Sequence, residues 1–354
     1  MNTKSTLFQL KQPLDGKPLV VWRSLQGLVW LVGLAIFLAL LFFPKVGIAA
    51  FWNVLIPVAP ALFVLAMGVW RNICPLATVA MLPHHLNFSK KKRLPLKWQG
   101  RLSLVGVALL FLIVPFRHLM LNNDGLATAA TLAFLATLAF LGGIFFDSKS
   151  GWCSSLCPVH PVEKLYGQNV LYSPPNAHCG QCHNCVVPCP DSTPKMNPQK
   201  STARSSHRIA ATLLTGGLPG FIWGWFHVPD CKGGAADWRE CIMAFGLPWG
   251  TMLLTLGAFL LLRHFSAEKW QTALVSVFAA ASVSCYYWFR LPALVGYGLF
   301  PGDGMLVDLR QVVPAWSLVL AQVSAVAFFG WWLIFRKTEV AVWAVRPPFL
   351  ERKK

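Results

Sequence analysis

Residues 126–158 read "LATAATLAFLATLAFLGGIFFDSKSGWCSSLCP". The stretch from Leu126 to Phe146 carries no charge and is long enough to cross roughly 30 Å of hydrocarbon as a helix. It runs into two cysteines, Cys153 and Cys157, the second followed by proline. Twenty-two residues after Cys157 begins "CGQCHNCVVPCP", which places four more cysteines within eleven residues.

Seven further apolar stretches, at about 25–43, 50–70, 102–121, 208–227, 243–262, 270–289 and 314–335, bring the number of expected spans to eight. The chain of 354 residues is 55% hydrophobic and only 12% charged. The expected fold is therefore an all-α polytopic membrane protein of about eight transmembrane helices with a small ferredoxin-like iron-sulfur insert. Its expected organisation is an N-terminal four-helix membrane half (1–146), the insert (147–207) and a C-terminal four-helix half (208–354). The first span is too long for a secretory h-region and no A-x-A site closes it, so it reads as a retained anchor.

Lysine and arginine near span ends stay on the cytoplasmic side. Counted across eight spans, the side holding both termini and the insert carries 25 Lys/Arg and the other side six. The whole formal charge of +18 falls on the first side. The expected location is a bacterial inner membrane, with both termini and the insert cytoplasmic. Insertion alone accounts for such a charge distribution, so nucleic acid is not an expected partner. The cluster Lys90 to Arg93 could dock anionic lipid or an acidic electron carrier.

Cys179, Cys182, Cys185 and Cys189 with Pro190 follow C-x2-C-x2-C-x3-C-P, the bacterial ferredoxin run. Three thiolates two residues apart can reach three corners of one iron-sulfur cube, while the looped backbone turns N–H groups toward its sulfurs. The same residues admit rivals. "CGQCH" satisfies the c-type haem signal, but that haem is attached outside the cytoplasm and leaves Cys185 and Cys189 unexplained. A four-cysteine zinc site usually has two knuckles and a longer spacer. Disulfides are disfavoured in a reducing compartment. His178 and His183 flank the run, and a histidine in a polar loop is usually solvated.

"WRNICP" (70–75) and "CSSLCP" (153–158) form a weak repeat in which Cys74 matches Cys157 and Trp70 stands where Cys153 does. In two-cluster ferredoxins the fourth cysteine of the run serves the other cluster. Cys157 could thus complete the cube of Cys179, Cys182 and Cys185, leaving Cys189 with Cys153 and Cys74 for a second metal centre. The expectation is one 4Fe-4S cluster, with a second left open.

These motifs resemble the NapH/NosR-type membrane-bound ferredoxin-like proteins, over about residues 50–200. The resemblance implies an inner-membrane protein that passes electrons between the quinone pool or a cytoplasmic donor and a membrane or periplasmic redox partner. This chain departs from the family pattern: it has one ferredoxin run where two are typical, Trp at position 70, and four further spans.

Cys231 and Cys241, on the opposite side, suggest a disulfide. Cys285 reads as a small buried apolar residue. Arg117 and His118, near the end of the third span, read as snorkelling side chains. No central acidic residue in any span suggests a proton pump. No Ser/His/Asp set, phosphate loop or H-E-x-x-H appears, so no bond-making chemistry is expected. A quinone is a candidate cofactor among the many aromatic helix faces. The alternative function is a non-catalytic subunit or assembly/regulatory factor with a structural or redox-sensing cluster.

Overall fold

The computed structural model describes residues 16–92, 94–147, 150–171, 174, 177–178, 205–231 and 237–336. Among these no strand occurs beyond an isolated bridge between Lys92 and Phe146. Eight helical segments are long and apolar enough to cross a membrane, and each overlaps one of the eight expected spans. The first is α1 (Gly16–Phe42). The second is an interrupted column of α2 (Pro44–Ile48), a π-helical stretch (Ala49–Leu55), α3 (Ile56–Ile73) and α4 (Pro75–His85). Then come α5 (Leu96–Phe116), prolonged by a π-helical turn to Leu121, and α6 (Gly125–Phe145). A short α7 (His160–Tyr166) precedes the second half, made of α8 (Ser205–Phe226), α9 (Trp238–Phe265), α10 (Glu268–Leu294) and α11 (Ala315–Gly330).

Apolar runs dictate these helices, and polar residues mark where they begin. The Asp124 carboxylate accepts from Ala127 N at the start of α6. Asp237 and Glu240 form a capping box that starts α9.

The second span is broken by its sequence. Pro57 and Pro60 fall in the first turns of α3, and Ala66 leaves the helical region altogether at φ −146°, ψ 52°. In hydrocarbon each freed backbone group needs a protein partner. Two are supplied from elsewhere in the chain. The Tyr287 hydroxyl of α10 donates to Pro57 O at 2.6 Å and accepts from Ala61 N at 3.0 Å, so it sits between two groups that would otherwise pair within the helix. Leu171 N donates to Leu65 O at 2.6 Å, immediately before the kink.

The segment that supplies Leu171 is the start of the expected insert, and it is not a separate polar body. Leu165 and Tyr166 of α7 belong to the main core, with Phe63 and Val64 of α3, Phe111 of α5, Leu214 and Phe221 of α8, and Val283 and Tyr287 of α10. Residues 150–171 are thereby built into the helix bundle, and α7 packs against α3. One end of the bundle gathers the C-terminal end of α3, α4, the turn after α6, and α7. The opposite end gathers the ends of α5, α8 and α10.

Replacing Tyr287 by Phe leaves a buried carbonyl and a buried N–H to find each other across a wedge of ring. Thermal unfolding in detergent should show Y287F destabilised by about 1–3 kcal/mol, with the helical content of the folded state unchanged by circular dichroism.

Candidate functional site: the cysteine junction

Cys74 is the hinge between α3 and α4. Its N–H completes the last turn of α3 by donating to Trp70 O at 2.8 Å, and its backbone then turns extended (φ −55°, ψ 120°) because Pro75 follows. Pro75 opens α4 at a position where no N–H is needed. After α6 the chain turns over residues 151–156, with Ser155 N and Cys157 N both donating to Trp152 O. In both copies of the repeat, Cys-Pro thus precedes a short helix, α4 in the first and α7 in the second.

The two copies meet. Cys153 and Cys157 are buried in one apolar cluster with Ala77 and Ala80 of α4, Leu135 and Ala139 of α6, and Trp152, and Cys74 packs against it. Close approach of Gly151 to α6 makes this possible: a Cβ at Gly151 would stand 2.6 Å from Gly142 O. Burial pushes the Cys157 thiol well above its ordinary range, and Glu163, Cys153 and Cys74 push it the same way against a backbone hydrogen bond at His160.

Glu163 of α7, a residue that sequence reasoning passed over, ties the copies together. It accepts from Trp70 Nε1 at 2.8 Å and from Arg71 Nε at 3.3 Å, with both charged side chains buried. The tryptophan that replaces a cysteine in the first copy is therefore an anchor for the second. His160 Nδ1 stands 3.7 Å from Glu163 Oε2, beyond hydrogen-bond reach. Burial alone would raise the Glu163 carboxyl; the imidazole, the Arg71 guanidinium and the Trp70 N–H outweigh it and hold it at about 2. Burial drives His160 down to about 4 despite Glu163.

The chain just before the ferredoxin run is fastened to the same junction. Ala177 N donates to Asn72 Oδ1 at 2.8 Å, and Arg23 Nη2 of α1 donates to Ala177 O at 3.2 Å. Gln26 Nε2 donates to Asn72 O at 2.8 Å and lies 3.3 Å from His178 Nε2. Arg23 Nη1 donates to Gln26 Oε1, which fixes the amide orientation and makes His178 Nε2 an acceptor. His178, expected to be solvated, is buried, and its Nε2 lone pair is engaged by Gln26 rather than free for a metal. Asn72 lies two residues before Cys74, and His178 lies one before Cys179. The polar signals were legible as Arg23 and Gln26 at the head of an apolar span, but their partners are 46 to 154 residues away.

Cys179, Cys182, Cys185 and Cys189, with His183, lie outside the described residues. Among the described residues no three His, Cys, Asp or Glu side chains are arranged to hold a metal ion. Cys74, Cys153 and Cys157 gather as a junction of three thiols. Between Cys153 and Cys157, the Ser154 and Ser155 hydroxyls are buried without a hydrogen-bond partner.

At the opposite end, Cys231 and Cys241 are both free thiols, with no disulfide between them. Cys285 is half-buried within α10. Arg117 and His118 do not snorkel: both are buried, 5% and 4% exposed, because aromatic rings and Asp230 enclose them. Lys90 and Lys92 are held by backbone hydrogen bonds to Ile144 and Phe145 at the end of α6, beside the cysteine turn.

The fold and the junction define a class, a polytopic helical membrane protein with cysteines gathered at one end of its bundle. Comparison with protein-family models, with curated proteins and with solved structures finds no match for this chain.

The paired shifts at the junction have one sign. A histidine depressed from 6.5 to about 4 stabilises the fold above pH 6.5 and loses that contribution as the pH falls toward 4. A carboxyl depressed from 4.5 to about 2 loses its contribution as the pH falls through that lower window. Thermal stability in detergent should accordingly decline on acidification below pH 6.5, with H160N making the upper part of the decline shallower while His85, depressed in the same window, keeps the rest. E163A, which leaves Arg71 buried without its carboxylate, should cost about 3–5 kcal/mol at neutral pH.

Proposed function

We propose that this chain is a membrane electron-transfer protein in which Cys179, Cys182, Cys185 and Cys189 hold a 4Fe-4S cluster against the end of the helix bundle. The observation that carries this reading is the fastening of Ala177 and His178 to Asn72 and Gln26. Those two residues come immediately before the ferredoxin run in the sequence and are held at the end of the bundle where Cys74, Cys153 and Cys157 gather, which supports the reading. A 4Fe-4S cluster accepts and returns single electrons at potentials set by its charge, hydrogen bonds and burial.

The residues of the chain would do the rest. The run supplies the thiolates; Cys153, Cys157 and Cys74 anchor the cluster to the bundle or contribute to a second one. The Ser154 and Ser155 hydroxyls are donors available to sulfur. Lys90 and Lys92, beside the junction, offer positive charge to an acidic redox partner. A bacterial inner membrane with the junction facing the cytoplasm accords with the lysine and arginine distribution, and a quinone or cytoplasmic donor would exchange electrons with the cluster.

Protein purified anaerobically should contain about four irons per chain for one cubane, or seven to eight for two. Serine at positions 179, 182, 185 and 189 should abolish the iron and the EPR signal of the reduced cluster. Iron unchanged in that variant refutes the assignment. Iron lost with electron delivery to the partner intact would instead support a structural or sensory cluster in an assembly or regulatory factor.

A further inference from the structure

The end of the bundle away from the cysteines holds a small cavity, about 40 Å³, lined by Arg117, His118, Trp225, Asp230, Phe289 and Arg290 among others. One water needs roughly 10–15 Å³ on such a measure. The space therefore suits a few oxygen-sized atoms, such as the head of a carboxylate or phosphate.

Among the described residues its charges do not balance. His118 Nδ1 is 2.6 Å from Asp230 Oδ1 and its Nε2 is 2.9 Å from Trp225 O, a carbonyl that can only accept. Whether the shared proton sits on the imidazole or on the carboxyl, His118 and Asp230 together are neutral. Asp230 Oδ1 is further occupied by Asn122 Nδ2 at 2.8 Å. Asp303, the other lining carboxylate, accepts from Asp230 N. Among the lining residues, two guanidiniums stand against that one further carboxylate.

Arg117 lies between the rings of Trp52 and Trp225, 4.1 and 4.6 Å from their centroids, and its Nε donates to Asn122. Arg290 is 2% exposed; its Nη2 donates to Trp52 O and Asn53 Oδ1, while its Nε is buried with no partner. Among the described residues neither guanidinium is ion-paired with a carboxylate. A buried cation without a counter-charge is costly, and a buried N–H without an acceptor adds to the cost. The backbone is shaped to this guanidinium: Gly304, at φ +65°, leaves space where a Cβ would clash with Arg290 Nη1.

We propose that this cavity is a binding site for a small oxyanion, a carboxylate or phosphate group, that accepts a hydrogen bond from Arg290 Nε and offsets the excess positive charge of Arg117 and Arg290. The ligand can come from solution or from the headgroup of a phospholipid. It would clamp α5, α8 and α10 to the loops that follow them.

The test uses the full chain purified in detergent. Unfolding temperature is followed against inorganic phosphate and against acetate, with chloride at matched ionic strength as control, and retained phospholipid is measured by native mass spectrometry. For an anion from solution, phosphate or acetate should raise the unfolding temperature saturably where chloride does not. For a lipid source, wild-type protein should retain a phospholipid that R290Q loses. R290K, which keeps the charge and lacks Nε, should fold and weaken either signal at least tenfold, so the proposal stays open to refutation if R290Q does not fold. No anion-specific response together with no retained lipid overturns the proposal, as does a response of equal size in wild type and R290K.

Discussion

A membrane interior offers no hydrogen bond to a freed backbone carbonyl, and the second span of this protein breaks its own helix. The rest of the architecture is arranged around that break. Tyr287 enters from α10 to hold Pro57 O and Ala61 N. Leu171 enters from the segment after α7 to hold Leu65 O at the kink. Because these partners come from opposite halves of the chain, satisfying one broken span joins both halves into one core. The same requirement draws residues 150–171 into the bundle, although their composition is that of a polar connection.

Holding α7 against α3 has a chemical consequence. It brings Glu163 under Trp70 and Arg71 and sets Cys157 and Cys153 against Cys74. A hydrogen bond to Asn72 and others from Arg23 and Gln26 then fix the residues just ahead of the ferredoxin run at the same place. The junction is buried, apolar on its α4 and α6 sides, and edged by the tethered lysines of the 90–92 segment.

The two ends of the bundle solve the problem of buried charge differently. At the cysteine end Arg71 has its carboxylate in Glu163. At the other end Arg117 rests between two indole rings and Arg290 on carbonyl oxygens, with no carboxylate paired to either among the described residues. Stacking and carbonyl contacts stabilise a guanidinium less than a counter-ion does, and that difference is why the second end reads as a place for an anion.

Eight spans, their approximate limits and the repeated Cys-Pro turns were legible in the sequence, because apolar length is a local property and proline after cysteine ends a helix wherever it occurs. The ferredoxin spacing of Cys179, Cys182, Cys185 and Cys189 is read from the sequence alone, since those residues lie outside the described ones. The roles of Glu163, Tyr287, Gln26 and Asn72 were not legible there, and Arg117 with His118 was misread as snorkelling. Each of those depends on a partner brought from another helix, 92 residues away for Glu163 and Arg71 and 230 for Tyr287 and Pro57. Periodicity and composition carry no record of which distant group will satisfy a buried carbonyl or charge; only the packing of the helices decides it.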